Sequence, residues 1–454
     1  MFFVNRSAQP SSIEPSPETP PRRWRNWGYT AECQPSSIVS PASADDLAQA
    51  IESAWAAGQS IKAVGAGHSF SRIAVAPAVQ VDLSRMRGLV AADATTGQVT
   101  VRAGTYLHEI PALLAPHGLA MTNLGDIDRQ TIAGATSTGT HGTGARFGGI
   151  STQIVAATIV NGYGEILSID KSDPDLAAVA LGLGALGILT DITLQCVPEF
   201  SIRAHEYPLA ADDAIEGFAE RVATQDHHEF YWFPHTGCAL GKTNTRLEGI
   251  VPRSGTGAVR RYIDDEILSN RLYSMLCAVG SAIPAAVPAL NQLSGRALSA
   301  RTYTDTSTEI FISPRTVRFR EMEYAVPLDS VAEILREIRT TIERKRYRVS
   351  FPVEVRAAAA DDLMLSTASG RPSGYIAVHR YHRDDAADSA AYFADVEAIM
   401  TAHSGRPHWG KMHTRDADYL RSVYPRFNEF LSVRERFDPL RVFANPYLRQ
   451  VLDR

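Results

Sequence analysis

Cysteine is scarce in this chain. Four thiols (Cys33, Cys196, Cys238 and Cys277) are scattered over 454 residues with no CxxC pair, which supplies neither a zinc site nor a disulfide framework and fits a reducing, cytoplasmic setting. Excess charge is nearly absent too: 45 Lys and Arg against 50 Asp and Glu leave −5, so there is no basic field of the kind nucleic acid requires. Arg22-Arg23-Trp24-Arg25 is short and local, and reads as a solvated tail. The leader is rich in Pro and Ser but has no apolar stretch, and its twin arginines are not followed by one, which excludes a secretory signal. Met1 to Pro21, and with it the block 1–25, is therefore expected to be disordered. One long uncharged apolar run exists, Leu272 to Leu290, and its length touches that of a membrane span. Gly280, Pro284 and Pro288 interrupt it, which predicts a kinked buried helix; a peripheral membrane contact is the alternative.

What remains is an ordinary globular composition, 44% hydrophobic and 21% charged, in a chain long enough for two cores. Ser43 or Asp45 caps a helical apolar spacing at Leu47, Ile51 and Trp55 within residues 42–58. Short β-like runs follow at Ile61–Val64, Val79–Leu83 and Gln98–Arg102, with a second helix expected over Tyr106–His117 before Gly118. Ile154–Val160 and Ile166–Ile169 flank the turn Asn161-Gly162-Tyr163-Gly164, and Ile192–Val197 closes the region. Glycine density falls at Pro198, where a domain boundary is placed. Beyond it, the helix Leu328–Lys345 and the strands Glu229–Phe233, Phe351–Val355 and Tyr375–Tyr381 imply an antiparallel sheet backed by helices, an α+β fold.

Three glycine-rich stretches carry the chemistry. Ala63-Val64-Gly65-Ala66-Gly67-His68-Ser69 follows a β-like run; it reads as a tight turn or as an anion cradle, because Gly65 and Gly67 let backbone N–H groups approach a phosphate closely. It is neither a dinucleotide fingerprint, which needs glycine where Phe70 stands, nor a Walker loop. Gly134 to Gly144 is a mobile linker or a place where a flat ligand meets backbone, and flanking strands favour the second. Gly182 to Leu189 is the third.

Together these residues resemble the vanillyl-alcohol-oxidase type of flavoprotein, within it the sugar-1,4-lactone oxidase and alditol oxidase group. The resemblance covers residues 26–454 and rests on Val64–Ser69, Thr138–Gly144, Glu321-Met322-Glu323-Tyr324-Ala325-Val326-Pro327, His408-Trp409-Gly410-Lys411 and Phe443-Ala444-Asn445-Pro446-Tyr447-Leu448. It implies a two-subdomain FAD-binding domain over 26–199, a substrate or cap domain over 200–410 and a segment 411–454 returning to the first domain. Residues 63–69 would cradle the pyrophosphate of FAD, with His68 bonded covalently to the methyl carbon of the flavin's dimethylbenzene ring. Gly125, Asp126, Thr131, Gly134, Thr138, Gly139, Thr140, His141, Ile188 and Lys411 would also meet the cofactor. Gly125 stands where an alanine blocks oxygen in some relatives, which implies an oxidase; O2 or another electron acceptor would take the electrons.

Glu354 and Arg356 are two apart on a strand, so both point to one face. By themselves they read as a structural ion pair; the resemblance makes them, with Lys411, the catalytic set, binding substrate hydroxyls and stabilising the developing alkoxide. Asp126, His379, Tyr381 and His408 would complete the substrate pocket, with Tyr381 in place of a threonine of alditol oxidases. A polyhydroxylated small molecule is the expected substrate, an aldono-1,4-lactone first and an alditol or other alcohol second; a membrane-associated dehydrogenase is a further alternative. No metal ligand set is expected.

Overall fold

Residues 23–255, 273–313 and 317–453 are described in the computed structural model. The oxygen of Ser43 caps Asp46 N–H at 3.0 Å and starts the helix Ala44–Ala56. Its buried stripe is Leu47, Ile51 and Ala54, while Trp55 turns outward at 55% exposure, so the apolar face sits one position away from the expected one. The helix is the crossover that parallel pairing requires. It carries the chain from Ser37–Val39 to Ile61–Ala63, and both flank Val79–Val81 in a three-stranded parallel sheet.

A five-stranded antiparallel sheet follows, ordered Ile166–Asp170, Ile154–Val160, Ile188–Gln195, Gln98–Arg102, Leu89–Asp93. Ile188–Gln195 begins four residues before the expected strand, because pairing with Ile154–Val160 extends it through Leu189. The expected helix over Tyr106–His117 is shorter, Ile110–Leu114 with a 3-10 turn to His117, since residues 106–109 are held by Tyr106 N–H donating to Glu109 Oε2. Gly118 ends it in the left-handed region at φ 64°.

The larger sheet has eight strands, ordered Arg301–Thr306, Ser201–Ala210, Cys238–Leu247, His227–Trp232, Val353–Ala358, Ser373–Tyr381, Phe319–Pro327, Arg406–Pro407. Its central strands are buried on both faces and alternate strictly. Val353, Val355, Ile376, Val378, Met322 and Phe230 face the helices Val331–Lys345 and Ala386–Ala402 and form one core with them. Their neighbours in sequence (Glu354, Arg356, His379, Glu321, Glu323, Glu229) therefore face the other way, toward the first domain.

The other core joins the first domain to residues beyond 408: Trp409, Phe430, Phe443 and Leu448 pack in one cluster with Leu47, Ile61 and Val81. Asn445 is the clasp. Its Nδ2 donates to Ile73 O and Val75 O at 2.9 Å each and to Arg72 O at 3.3 Å, while its Oδ1 caps Leu448 N–H at 2.9 Å.

Two expectations need correction. Trp24–Arg25 pairs with Glu32–Cys33, and Arg23 and Arg25 both bind Glu32, so residues 23–25 are ordered structure and not leader; residues 1–22 lie outside the described ones. The apolar run is not a buried helix. Beyond Leu272, which is not described, it breaks at Pro284 into Tyr273–Ala282 and Val287–Arg296, burying Cys277, Gly280 and Val287 and leaving Met275, Val279 and Ile283 exposed. Among the described residues no helix is long and apolar enough to cross a membrane.

Because Asn445 satisfies several buried carbonyls at once, Asn445→Ala is expected to cost about 2–4 kcal/mol. It should appear as a lower urea midpoint with unchanged slope; a midpoint equal to that of the parent protein would show that the clasp is dispensable.

Candidate active site

The strand Ile61–Ala63 ends in a turn whose backbone N–H groups at residues 65–69 donate no hydrogen bond among the described residues. Such unpaired N–H groups are what an anion cradle offers. Gly67 has φ +72°, and a Cβ on Gly65 would lie 2.6 Å from Thr131 Oγ1, so both glycines are required by geometry. Around this turn runs a solvent-open groove of about 1150 Å³, walled by residues 62–69, 130–138 in part and 182–189 in part. Thr131 caps the short helix Ile132–Ser137 that forms one wall. Lys62 underpins the opposite wall, donating to Leu183 O and Gly184 O.

The groove continues at His68, Ser69, Gln130 and Thr138 into a second cavity of about 750 Å³. This one is charged. Arg356 Nε meets Glu229 Oε2 at 2.9 Å, and its Nη2 meets Glu354 and, at 3.5 Å, Asp126 Oδ2. Burial would weaken the guanidinium's charge, but Glu354, Asp126 and Glu229 outweigh it and hold the proton more tightly than usual. Tyr231 OH reaches Glu354 Oε1 at 3.3 Å. Opposite, Lys411 contacts Glu321 directly and lies 3.9 Å from Glu323. Burial raises the Glu321 carboxyl, yet Lys411 and then His379 pull it down to about 2; Glu323, bound by His141, is also held low.

Strand register explains the convergence. Glu321 pairs across from His379, Glu323 and Glu354 both pair with Ala377, and Tyr231 pairs with Glu354. The loop bearing Lys411 hangs on the same strand, with His408 N–H donating to Glu323 O and Met412 N–H to Glu321 O. His408 is pushed down to about 3 by burial, so it is neutral; its Nδ1 accepts from Gly410 N–H at 3.0 Å. His141 Nε2 meets Glu323 Oε1 at 3.2 Å while its Nδ1 faces Gly142 O at 2.8 Å. His141 and Glu323 are thus bonded to each other, and the side chain of His408 stands beside them, with one ligand atom of each of the three within 4.8 Å of the others.

Ala63, Val64, Gly65, Ala66, Gly67, His68, Ser69, Thr131, Gly134, Thr138 and Ile188 line the groove, and Gly125, Asp126, Thr140, His141, Glu354, Arg356, His379, His408 and Lys411 line the charged cavity. Gly139, at φ +78°, lies on neither wall. Tyr381 also stands off the wall: it pairs across from Phe319 and is buried in an apolar cluster with Phe70, Cys277 and Phe351. Sequence reading gave no role to Glu321 and Glu323 and missed Glu229, Tyr231, Trp27 and Phe319. The alternation Glu229-Phe230-Tyr231-Trp232 repeats that of Glu354-Val355-Arg356 and was the available signal.

A family model described as FAD binding domain matches residues 35–170, and one described as D-arabinono-1,4-lactone oxidase matches 192–451. The chain is 41% identical to the L-gulono-1,4-lactone dehydrogenase of Mycobacterium tuberculosis over 94% of its own length and 99% of that protein. It is 30% identical to the L-gulonolactone oxidase of Mus musculus, covering 94% and 98%. Cholesterol oxidase from Brevibacterium sterolicum superposes with a TM-score of 0.80 at 18% identity, covering 97% of this chain and 100% of that one, a likeness of fold.

FAD fits the groove by this chemistry: unpaired amides where Cβ atoms would collide, small side chains along the walls, and an outlet into a charged cavity. Gly65→Ala forces a methyl group against Thr131 and is expected to weaken FAD retention roughly tenfold or more, about 1.4 kcal/mol. Titration of apoprotein with FAD, alongside unchanged circular dichroism, measures this; parental affinity would remove the cradle from the turn.

Proposed function

The chain belongs to the D-arabinono-1,4-lactone oxidase family, and on that premise we propose that it oxidises the 2-hydroxyl of an aldono-1,4-lactone to an ascorbate-type enediol. It is an FAD-dependent oxidoreductase acting on a CH–OH group of a sugar lactone. Bound FAD supplies the two-electron acceptor for the hydride. The observation that carries the reading is the meeting of Glu354, Arg356, Lys411, Glu321 and Glu323 in one cavity that opens from the FAD groove at His68.

For hydride to leave the carbon the hydroxyl proton has to be taken up, and the alkoxide character that develops on the oxygen as it leaves has to be stabilised. Glu354 orients the hydroxyls and takes the proton. Arg356 and Lys411 supply fixed positive charge that costs no reorganisation at the moment of reaction, because Glu229, Asp126 and Glu321 already hold them in place. His379, with Nε2 3.6 Å from Glu321 Oε1, fixes the far side of that carboxylate. Trp27 and Phe319 give the cavity its aromatic walls, which Tyr381 does not reach; flat walls suit a ring-shaped lactone over a linear alditol. Gulono-, galactono- and arabinono-1,4-lactone are therefore expected to exceed xylitol in kcat/KM, and Glu354→Gln to lower kcat by about 10²–10⁴-fold. A preference for xylitol, or an undiminished Glu354→Gln, would overturn the assignment.

The flavin tether and the acceptor belong to the same reading. His68 lies at the junction of the two cavities, and burial, with the cations of Lys411 and Arg129, lowers its pKa to about 4. It is thus a neutral nucleophile at physiological pH, suited to the methyl carbon of the flavin. Gly125 lines the charged cavity, and a Cβ there would lie 3.1 Å from His141 O and 3.2 Å from Thr140 Cγ2, so a side chain would crowd the passage that glycine leaves for O2. Acid precipitation should leave yellow colour in the pellet of the parent protein and not of His68→Ala. Under air, turnover should release peroxide, and Gly125→Ala should suppress peroxide more than turnover with an artificial dye. A colourless parental pellet refutes the tether, and brisk dye turnover without peroxide refutes the oxidase.

A further inference from the structure

Neither ring nitrogen of His68 receives or donates a hydrogen bond among the described residues. An imidazole without a hydrogen-bonding partner has a free χ2, and the groove alone does not say which edge it presents. What lies against it is Trp27. The two rings are nearly parallel, 23° apart with centroids at 5.9 Å.

The indole is itself wedged. Phe319 meets it edge-on at 5.2 Å and Phe70 at 6.0 Å, and the guanidinium of Arg318 lies 5.8 Å from its ring. Its backbone is tied to the turn it supports: Trp27 N–H donates to Gly67 O at 2.8 Å, Asn26 Nδ2 to Ser69 O at 2.8 Å, and Thr30 Oγ1 to Phe70 O at 2.7 Å. Gly28 allows this approach, since a Cβ there would meet Phe70 Cδ1 at 2.7 Å. From the other side Phe70 N–H donates to Gly410 O at 2.6 Å. The turn is therefore clamped between residues 26–30 and the loop that bears Lys411, with the imidazole left to be oriented by stacking.

We propose that Trp27 is a positioning residue for His68: its indole fixes the imidazole plane so that one ring nitrogen faces the site of bond formation. The proposal rests on the reading that His68 carries the flavin. In that step a bond forms between an imidazole nitrogen and the methyl carbon, one proton leaves that carbon and one the imidazole, and two electrons pass to the flavin ring and on to the electron acceptor of turnover. Trp27 neither gives nor takes a proton. It shortens the search for a reactive geometry, an orientation effect.

The test follows acid-stable flavin fluorescence over time after FAD is added to apoprotein. Trp27→Ala should slow its appearance by about tenfold or more, the scale of a lost orientation, while FAD affinity before bond formation stays within about threefold, some 0.7 kcal/mol. Trp27→Phe, which keeps a stacking ring, should restore most of the rate, and Trp27→Leu, apolar but without a π face, should not. Should Trp27→Ala fail to fold by circular dichroism, the contrast between Phe and Leu decides. Equal rates in the Leu and Phe variants, or a parental rate in Trp27→Ala, overturn the proposal. A parental protein that acquires no acid-stable flavin at all refutes the tether instead.

Discussion

Two cations, the buried Arg356 and the half-buried Lys411, hold the active site together, each because carboxylates outnumber it. Taking an ion out of water costs several kcal/mol, and removing one partner of a buried pair typically costs about 3–5 kcal/mol. No carboxylate of this cavity can therefore be dropped cheaply. Asp126 comes from the first half of the chain and Glu229 and Glu354 from two neighbouring strands of the second, so Arg356 is also one of the places where the two halves meet, beside the contacts of Thr143 with His227 and His228. The arrangement that would stabilise charge in the reaction thus also contributes to holding them together.

The division of labour between the halves follows from backbone chemistry. The FAD groove is made by N–H groups and by the absence of side chains, so it needs turns and glycine. The reacting end needs side chains held rigidly at set spacing, so it is built on the middle of a sheet, where period-two alternation sends every second residue into the cavity and the others into a helix-covered core. Val355, between Glu354 and Arg356, is as necessary as they are: its burial among Phe230, Ile376 and Val378 fixes the strand that aims them.

Local signals were legible. The glycine turn, the Glu354/Arg356 pair, the strand Gln98–Arg102 and the helix cap at Ser43 all depend on residues close in sequence, and the structure has each of them. Signals created by pairing were not. Glu229 becomes a partner of Arg356, 127 positions away, only because His227–Trp232 lies beside Val353–Ala358. Tyr381 shares a strand face with His379 and still misses the cavity, being buried instead in the apolar cluster of Phe70, Cys277, Phe319 and Phe351. The Leu272–Leu290 run had the composition of a buried helix, but its break at Pro284 makes two short helices that together hide only one side. Trp27 was hidden by its neighbourhood: a basic, proline-rich approach looked like tail.

The path of the chain also sets an order of assembly. Ile61 N–H, at the root of the glycine turn, donates to Val442 O at 2.9 Å, and Phe443 and Leu448 fill the same core as Ile61. During synthesis the second core is complete once Met400 has emerged. The first by then still lacks Trp409 and the residues beyond it that close it. Loop-closure entropy makes such long-range contacts slow to form.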